Sequence, residues 1–513
     1  MNQTSSSDSS RPDDESPNYV ARILKGSGAV FSGSMVAKVI GFALQIVLSR
    51  GLGPALYGVY SLGHVVLQVA RDIGTLGLQN GVVRFGAPQH ETGETSKLKG
   101  TFLATAGLGG AAGLVIGVLL FLLAPWLSAR LFGAGEYTQV LQIFAVGLPF
   151  YVLTYLLSRM ARTMGKMQLD VLLGSILQPT LFLLLTAGLL LSGQGLVPVL
   201  YAFLGSTILA AAASLYAIYR LFPPLLSSLA PYFEIRALLR FSLPIIGVSL
   251  ASIGLTYADR VMLGMFGAAE DVGIYQAAAK MSVQMRFVLF AVTATFSPII
   301  SDLYHNDKRD ALNRLYADTV RWIFLLTLPA SVLLITFAPQ VMAIFGPDFR
   351  AGANLLRILA VAYFLVAAVG SVGQMLQMTD HQDAVLGFDV SMAVANVGLN
   401  WILIQWYGAI GAAVATGLTQ AAGNFVQIGA LYHFTGIQPF RRALWKPLAA
   451  TGVAGVLGWL AYTTLPPPYH WAAGVPIVLL SYGGAVLLFG LHPRDRSIAE
   501  GLWAQLRGGS PSS

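Results

Sequence analysis

Charged side chains are rare inside long apolar stretches, and seven of those in this sequence are candidates for a functional site. They are Lys38, Arg71, Asp72, Asp259, Arg260, Lys280 and Arg286. A charge at the centre of a bilayer costs at least about 2.5–3.5 kcal/mol, so such a residue usually faces a cavity or a partner. Because the bases outnumber the acids, the set predicts a cationic cavity that attracts an anion. Arginine in particular forms bidentate hydrogen bonds to phosphate.

Four of these bases are the candidate ligands of a phosphate-bearing headgroup. They are Arg71, Arg286, Lys38 and Lys280. The acids Asp72 and Asp259 are candidates for carrying a coupling proton or Na⁺. In the alternative interpretation, Arg71-Asp72 and Asp259-Arg260 are structural ion pairs. Adjacent residues point about 100° apart on a helix, so each side chain is then expected to find its partner elsewhere. Arg260 is also close enough to the membrane boundary to snorkel.

A further polar set lies later in the chain. Asp389, Asn396 and Asn400 follow an i, i+7, i+11 spacing, which places all three on one face of a helix. This face is predicted to be a hydrogen-bonded contact between helices and not an ion site.

Two of the candidate bases occupy equivalent positions in a sequence repeat. When Gly58-Val59-Tyr60 is superposed on Gly273-Ile274-Tyr275, an offset of 215 residues, Arg71 falls on Arg286 without a gap. The repeat predicts that a helix with a cation near its middle, entered through a Gly-x-Tyr turn, is built once in each half of the chain.

The composition indicates that these helices lie in a membrane. Of the 513 residues, 55% are hydrophobic and 11% are charged, whereas a soluble domain carries roughly 25% charged residues. Apolar runs of about 20 residues recur along the chain, as membrane-spanning helices require. The sequence therefore predicts an all-α integral membrane protein with about 14 transmembrane helices. Their predicted bounds are 26–49, 56–81, 100–125, 138–160, 169–192, 196–219, 240–265, 272–301, 319–345, 354–377, 383–406, 409–433, 447–465 and 472–490.

Basic residues concentrate in the loops that follow even-numbered spans, for example Arg84, Lys97, Arg162 and Lys166. Basic loops stay on the cytoplasmic side. We therefore predict a multi-pass protein of the inner (plasma) membrane with both termini in the cytoplasm. The same loops account for the net charge of +8, so no binding to nucleic acid is predicted.

The Pro-Pro step after span 6 marks the main linker. It divides the chain into two six-helix lobes, and an even number of spans per lobe makes the two lobes parallel repeats around a central cavity. The predicted domains are a disordered cytoplasmic tail (1–19), the N-lobe (20–222), the cytoplasmic linker (223–239), the C-lobe (240–436), two extra helices (437–492) and a C-terminal cytoplasmic tail (493–513).

Sequence signatures of catalysis are missing. We find no His-Glu-x-x-His, no Gly-rich phosphate loop followed by Lys, and no Gly-x-Ser-x-Gly. The seven histidines are scattered without metal-ligand spacing, and there is no cysteine. We therefore predict no enzymatic activity, no metal site and no cofactor.

Three stretches resemble one known family. They are SGAVFSGSMVAKVIGFALQIVLSRGLGPALYGVYSLG (27–63), ADRVMLGMFGAAEDVGIYQAAAK (258–280) and NVGLNWILIQWYGAIGAAVATGLTQ (396–420), the last with Tyr-Gly-x-x-Gly-Ala-Ala. The family is that of polysaccharide-biosynthesis flippases, the oligosaccharide-lipid exporters of the multidrug/oligosaccharidyl-lipid/polysaccharide exporter superfamily. The resemblance covers roughly residues 20–490.

The resemblance implies alternating access and transfer of a polyprenyl-(pyro)phosphate-linked oligosaccharide from the cytoplasmic to the outer leaflet, for cell-surface polysaccharide assembly. It also implies membrane lipids, and a glycan polymerase with export machinery, as partners. The cationic cavity of the family matches Arg71, Arg286, Lys38 and Lys280 by their positions on spans 1, 2 and 8 alone.

Three other functions remain open. A cation-coupled exporter of small molecules or drugs, from the same superfamily, predicts an essential membrane acid and a cationic substrate. A membrane glycan polymerase or ligase predicts essential residues in outer loops, which are short here. A scaffold of a polysaccharide assembly complex predicts no transport at all.

Overall fold

The computed structural model describes residues 16–131, 135–306, 308–438, 444–466 and 469–489. Over these ranges the chain is helical and contains no β-strand, so the predicted all-α fold is confirmed. Of the two predicted tails, 493–513 and residues 1–15 lie outside the described residues. Residues 16–19 belong to the first helix.

Helices α1 to α7 fill the first part of the described chain. They are α1 (Ser16–Gly74), α2 (Leu78–Glu91), α3 (Thr95–Leu131), α4 (Glu136–Thr163), α5 (Met167–Val171), α6 (Gln178–Leu191) and α7 (Leu196–Leu221). A π-helical segment, Leu172–Leu177, joins α5 to α6. Pro179 explains it, because its missing N–H and its ring cannot be accommodated in regular α-helix geometry.

Helices α8 to α17 follow a short 3₁₀ turn at Pro223–Leu226. They are α8 (Ile235–Phe266), α9 (Ala269–Val283), α10 (Arg286–His305), α11 (Arg309–Thr336), α12 (Ala338–Met342), α13 (Ala353–Ala368), α14 (Val372–Met378), α15 (Gln382–Thr435), α16 (Trp445–Thr464) and α17 (Tyr469–Leu488).

Among the described residues, ten helical segments are long and apolar enough to cross a membrane. Two of them, Ser32–Gly74 and Gln382–Thr435, are each long enough to cross twice. Each contains a glycine outside the helical region, Gly53 at φ 73° and Gly408 at φ 55°. The breaks fall where the sequence predicts separate spans. The ten segments thus hold twelve of the fourteen predicted spans, and the other two fall on α9–α10 and α16.

Several predicted spans are interrupted. The predicted span 56–81 ends at Gly74, because Leu76 and Gly77 take positive φ angles of 52° and 71°. The predicted span 354–377 is divided at Gly370, where φ is 70°. The predicted span 272–301 is divided before Arg286, which becomes the first residue of α10.

The chain forms two compact units, which include different parts of α1 and α8. The described residues of unit 1 fall within 1–51, 66–129 and 134–250, and those of unit 2 within 52–65, 130–133 and 251–513. The core of unit 1 contains Phe203, whose ring meets those of Phe144 at 4.9 Å and Phe182 at 5.4 Å. Helices α3, α4, α6 and α7 contribute to unit 1.

Unit 2 includes the two C-terminal helices. Val478 of α17 packs beside Gly458 of α16, and the ring of Phe337 lies against Gly474. Gln340 and His470 are hydrogen-bonded at 2.7 Å. The helices that the sequence predicts as extra therefore contribute to the same apolar core as α11.

Within unit 2, the two copies of the Gly-x-Tyr repeat pack against each other. A Cβ on Gly58 would meet the backbone carbonyl of Ala269, and a Cβ on Gly273 would meet that of Pro54. The contact is reciprocal: Pro54 lies four positions before Gly58, and the small residue Ala269 lies four positions before Gly273. Such small-xxx-small spacing allows helix backbones to approach closely in membranes. The structure adds that the two Gly-x-Tyr positions touch. The predicted cation near the middle of each helix is wrong, because Arg71 lies in the last turn of α1 and Arg286 is the first residue of α10.

Within unit 1, α8 approaches α2 through two further glycines. Gly77 faces the backbone carbonyl of Ser242, and Gly81 faces the Ser242 side chain and Leu238. This approach places the neighbouring Phe241 over Arg84, with the Arg84 Cζ 4.4 Å from the ring centroid.

Gly77→Ala is expected to destabilise the protein more than Gly93→Ala, by at least about 1 kcal/mol. Both glycines have positive φ angles, 71° and 72°, so alanine is strained by about 1–2 kcal/mol at either position. A Cβ at Gly93 meets nothing within 4 Å, whereas one at Gly77 overlaps the Ser242 carbonyl. Unfolding of the purified variants in detergent measures the difference, and equal losses would contradict the close approach.

Candidate functional site

Arg71 and Asp72 of unit 1 form an ion pair with each other. Asp72 Oδ1 accepts hydrogen bonds from Arg71 Nη2 at 2.6 Å and from Nε at 2.9 Å. The expectation that neighbours on a helix need separate partners is therefore wrong here. The arginine side chain is long enough to bend back across the 100° between the two residues.

The Arg71 guanidinium is also enclosed by two tyrosines. Its Cζ lies 5.3 Å from the ring centroid of Tyr151 and 5.0 Å from that of Tyr155. Both contacts are within the range of cation–π attraction. Two of its five N–H groups point at Asp72, and three remain for other acceptors. Arg71 is therefore held in place, while three of its N–H groups remain available for a ligand.

Asp259 and Arg260 of unit 2 form a buried network. Asp259 Oδ2 accepts from the Tyr275 hydroxyl at 2.5 Å and from Thr416 at 3.4 Å, while its Oδ1 lies 3.2 Å from Arg260 Nη1. Arg260 donates its Nε–H to Gln276 Oε1 at 2.5 Å. Both charged residues are buried.

This network corrects two expectations. Asp259 and Arg260 do bond other residues, but they also pair with each other, as Arg71 and Asp72 do. Arg260 does not snorkel, because its guanidinium bonds Gln276 and the Thr256 carbonyl. The repeat tyrosine, Tyr275, is the residue that ties α9 to the carboxylate on α8.

A cavity of about 500 Å³ lies beside this network, entirely in unit 2. Two arginines and two aspartates line it, together with amide side chains. The residues most relevant to binding are Asp259, Arg260, Arg286, Gln374, Asp389, Gln420, Asn424 and Gln427. The Asp259–Arg260 pair is internally neutral, which leaves Arg286 and the Asp389 carboxylate as the charges that a ligand would meet.

The four predicted phosphate ligands are divided between the two units. Lys38 and Arg71 belong to unit 1, whereas Lys280 and Arg286 belong to unit 2. Arg286 lines the unit 2 cavity and makes no hydrogen bond or ion pair with the described residues. Lys280 follows the cavity residue Ala279 and lies within electrostatic range of Arg260. Lys38 is exposed on α1. Their shared role in binding phosphate stays a prediction.

The polar face of α15 forms one hydrogen bond between its two halves, as predicted for Asp389, and another within one half, between Asn396 and Asn400. Asn400 Nδ2 donates to Asn396 Oδ1 at 3.0 Å, and Gln427 donates to Asp389 Oδ1 at 3.3 Å. The second bond joins the two halves of α15 across the break at Gly408. Among the described residues, no group of three or more His, Asp or Glu side chains is placed to hold a metal ion.

Unit 1 contains a second cavity, of about 440 Å³, which sequence reasoning missed. Three arginines line it: Arg84, Arg159 and Arg162. From the sequence, Arg84 and Arg162 are predicted only as basic residues of loops. The available signal was the i, i+3 spacing of Arg159 and Arg162 together with Asp170, an acid at the start of a predicted span.

A helical membrane fold with cationic side chains and polar cavities defines the class of multi-pass membrane transporters. The family model described as polysaccharide biosynthesis protein matches residues 23–304. The chain belongs to this family. A second family model, MatE, matches residues 244–402.

The curated relatives include two proteins of Haloferax volcanii. One, "Probable flippase AglR", is 22% identical over 93% of this chain and 98% of its own length. The other, "Probable low-salt glycan biosynthesis flippase Agl15", is 26% identical, and that match spans 43% of this chain and 48% of the relative. The "Putative O-antigen transporter" of Shigella flexneri is 22% identical over 77% of this chain and 94% of its own.

Solved structures share the fold. "Lipid II flippase MurJ, inward closed conformation" matches with a TM-score of 0.72 at 14% identity, covering 90% of this chain and 98% of that one. An inward-facing MATE family multidrug resistance transporter matches with a TM-score of 0.66 at 19% identity, covering 80% and 96%. At these identities the likeness concerns the fold.

Proposed function

We propose that the protein is a flippase that moves a polyprenyl-(pyro)phosphate-linked oligosaccharide from the cytoplasmic to the outer leaflet for cell-surface polysaccharide assembly. The observation that carries the proposal is Arg286, a cation on the cavity wall that forms no hydrogen bond or ion pair with a described residue, although the Asp389 carboxylate lines the same cavity. Such a charge in a membrane protein is costly unless an anion joins it. Phosphate is the anion that a guanidinium binds best. The flippase names of the relatives support the same function.

The physical task is to carry a polar head through hydrocarbon. Each sugar hydroxyl transferred without a hydrogen-bond partner costs several kcal/mol, so the glycan cannot cross alone. In the proposed mechanism the protein shields the head, the isoprenoid tail stays in lipid, and Arg71, Arg286, Lys38 and Lys280 bind the phosphate. Alternation between states that open to opposite sides then completes the transfer.

The proposal also covers the location, topology, partners and ion coupling of the protein. The protein resides in the inner (plasma) membrane with both termini in the cytoplasm, and its two lobes are parallel repeats. It works with membrane lipids, a glycan polymerase and export machinery. Asp72 and Asp259 carry the coupling ion.

Reconstitution into liposomes tests the function. Wild type is expected to move a polyprenyl-pyrophosphate oligosaccharide to the opposite leaflet, and Arg71→Gln with Arg286→Gln is expected to lose this transfer. Removing a hydrogen bond to a charged group costs about 1.5–3 kcal/mol, so two losses reduce the rate at least about 100-fold. Accessibility of the glycan to an external lectin or glycosidase is the readout.

The matched control is Arg220→Gln with Arg314→Gln, which removes the same charge from exposed residues, one in each unit. Transfer by wild type and by both double variants would keep the flippase and discard the phosphate ligands. Failure of wild type with every lipid-linked glycan, with and without an imposed ion gradient, would refute the function itself.

A cation-coupled exporter of small molecules is the second candidate. The MatE match over residues 244–402 favours it, and so do the carboxylates of Asp259 and Asp389 on the unit 2 cavity wall. It predicts that the same liposomes export a cationic dye and ignore the lipid-linked glycan.

A further inference from the structure

The cavity of unit 1 contains more positive than negative charge. Three guanidinium groups, those of Arg84, Arg159 and Arg162, line about 440 Å³ of space, together with Gln79 and Tyr155. The volume is within the range of small-molecule sites, roughly 300–1,000 Å³. No acid among the described residues lines the cavity, and two of its arginines pair with the carboxylate of Asp170.

Asp170 compensates only part of this charge. Its Oδ2 accepts from Arg162 Nε at 2.8 Å and from Arg159 Nη1 at 3.0 Å. One carboxylate therefore serves two arginines through a single oxygen. The turn at Gly165, where φ is 73°, brings Asp170 back to the end of α4 and fixes both arginines there.

Arg84 is oriented without any ion pair. Its guanidinium lies over the Phe241 ring, with Cζ 4.4 Å from the centroid. No hydrogen bond or ion pair joins it to a described residue. A stacked guanidinium keeps its N–H edges available for a bidentate acceptor such as phosphate.

Two buried polar atoms of the cavity residues also have no partner. Gln79 Oε1 and Arg159 Nε are buried and make no hydrogen bond with the described part of the chain. A buried polar atom without a partner costs about 1–3 kcal/mol. Basic residues near the cytoplasmic face follow from the positive-inside rule, but that rule does not explain their convergence on one cavity, where the Arg159 Nε–H donor has no described partner.

We infer that the cavity of Arg84, Arg159 and Arg162 is a separate binding site for the phosphate or diphosphate of a lipid headgroup. The Arg162 Nη groups, the Arg159 Nε–H and the edge of Arg84 supply the donors, and Asp170 holds two of the arginines in position. The net charge of the four side chains is positive, so an anion adds to the stability of the cluster.

The site also connects to Arg71. Tyr155 lines the cavity and contacts two arginines, with Arg159 Cζ 4.8 Å and Arg71 Cζ 5.0 Å from its ring centroid. A phosphate in the cavity is thus one tyrosine away from Arg71. Its role as the first acceptor of the substrate on the cytoplasmic side rests on the proposed function, whereas phosphate binding itself does not.

Binding is measured on the purified full chain in detergent, in the Arg71→Gln/Arg286→Gln background, which removes both arginines of the other predicted phosphate site. The probe is farnesyl diphosphate, and farnesol is its uncharged control. Arg84→Gln breaks no hydrogen bond or ion pair among the described residues, so it is the primary variant. It is expected to raise the Kd on the order of tenfold, and Arg84→Gln with Arg162→Gln to raise it further.

Arg220→Gln with Arg236→Gln is the charge-matched control in unit 1 and is expected to leave the Kd unchanged. The site would be refuted by an unchanged Kd in both Arg84 variants, or by equal binding of farnesol. Inorganic pyrophosphate binding as tightly as farnesyl diphosphate would refute a lipid ligand. Comparison with phosphatidylglycerol distinguishes an isoprenoid substrate from a bulk phospholipid.

Transport measurements separate this inference from the proposed function. If diphosphate binding depends on Arg84 but the protein moves no glycan, the binding site is supported and the flippase function is refuted. Glycan transfer with binding that is indifferent to Arg84 discards the site and keeps the flippase.

Discussion

Asp259→Ala is expected to lower the free energy of unfolding by about 3–5 kcal/mol. The substitution leaves Arg260 buried without its counter-charge, and breaking a buried pair from one side has this cost. It also removes the acceptor of the Tyr275 hydroxyl, 2.5 Å away. Detergent-solubilised protein, unfolded by denaturant and followed by tryptophan fluorescence, provides the measurement.

Two comparison variants isolate the cause. Replacing both partners, by Asp259→Leu with Arg260→Met, removes the buried charges together and is expected to recover most of the loss. Asp389→Ala, at an exposed carboxylate that bonds only Gln427 among the described residues, is expected to cost within about 0.5 kcal/mol. A loss at Asp389 as large as at Asp259 would show that burial of the pair is not the reason.

The coupling role predicted for Asp72 and Asp259 is tested by replacing each carboxylate with an amide. If either carries the coupling ion, Asp72→Asn or Asp259→Asn abolishes the response of transport to an imposed proton or Na⁺ gradient in folded protein. Asparagine keeps a carbonyl acceptor for Tyr275. A gradient response that survives both substitutions would leave the two acids with a structural role.

Helices and spans follow closely from the sequence, because membrane insertion depends on local runs of apolar residues. The positions of the interruptions follow less closely. Pro179 gave a local signal for the π-helical segment, whereas Gly370 and Leu76 take positive φ angles that the sequence did not reveal. Such angles depend on tertiary contacts as well as on residue type.

Side-chain pairing was the weaker part of the sequence prediction. Helical geometry alone argued that Arg71 cannot bond Asp72, yet a flexible arginine side chain reaches its neighbour at 2.6 Å. The Asp170 cluster depends on how a tight turn folds α5 back onto α4, which no spacing rule encodes. The amide side chains of the unit 2 cavity come from helices far apart in sequence, so periodicity within one helix cannot assemble them.

Gly58→Leu is expected to abolish transport while the protein remains folded. A Cβ at this position would overlap the Ala269 carbonyl and come within 2.9 Å of the Gly273 backbone nitrogen, so α1 and α9 must separate. These helices carry the two copies of the repeat. Alternating access in repeat transporters depends on rearrangement of one repeat against the other, and a contact that cannot form removes one of the alternating states.

A double-mutant cycle with alanine at Gly58 and Gly273 measures whether the two glycines share one contact. Gly58→Ala and Gly273→Ala are each expected to cost about 1–3 kcal/mol of stability, as overpacking does. Because both act on one contact, the double variant is expected to cost clearly less than the sum of the two. Gly41→Ala is the control, since a Cβ there meets nothing within 4 Å and alanine favours a helix by up to about 1 kcal/mol.

Strict additivity in this cycle, or full transport by Gly58→Leu, would contradict a direct contact that has to form during transport. If Gly58→Leu retains its stability but loses transport, the substitution acts on the conformational cycle and not on folding. The repeat would then have a mechanical meaning: the Gly-x-Tyr turn brings the backbones together at glycine, and in the second copy its tyrosine bonds the buried Asp259. One short sequence, used twice, would thus serve both the closing contact and the charge network beside the unit 2 cavity.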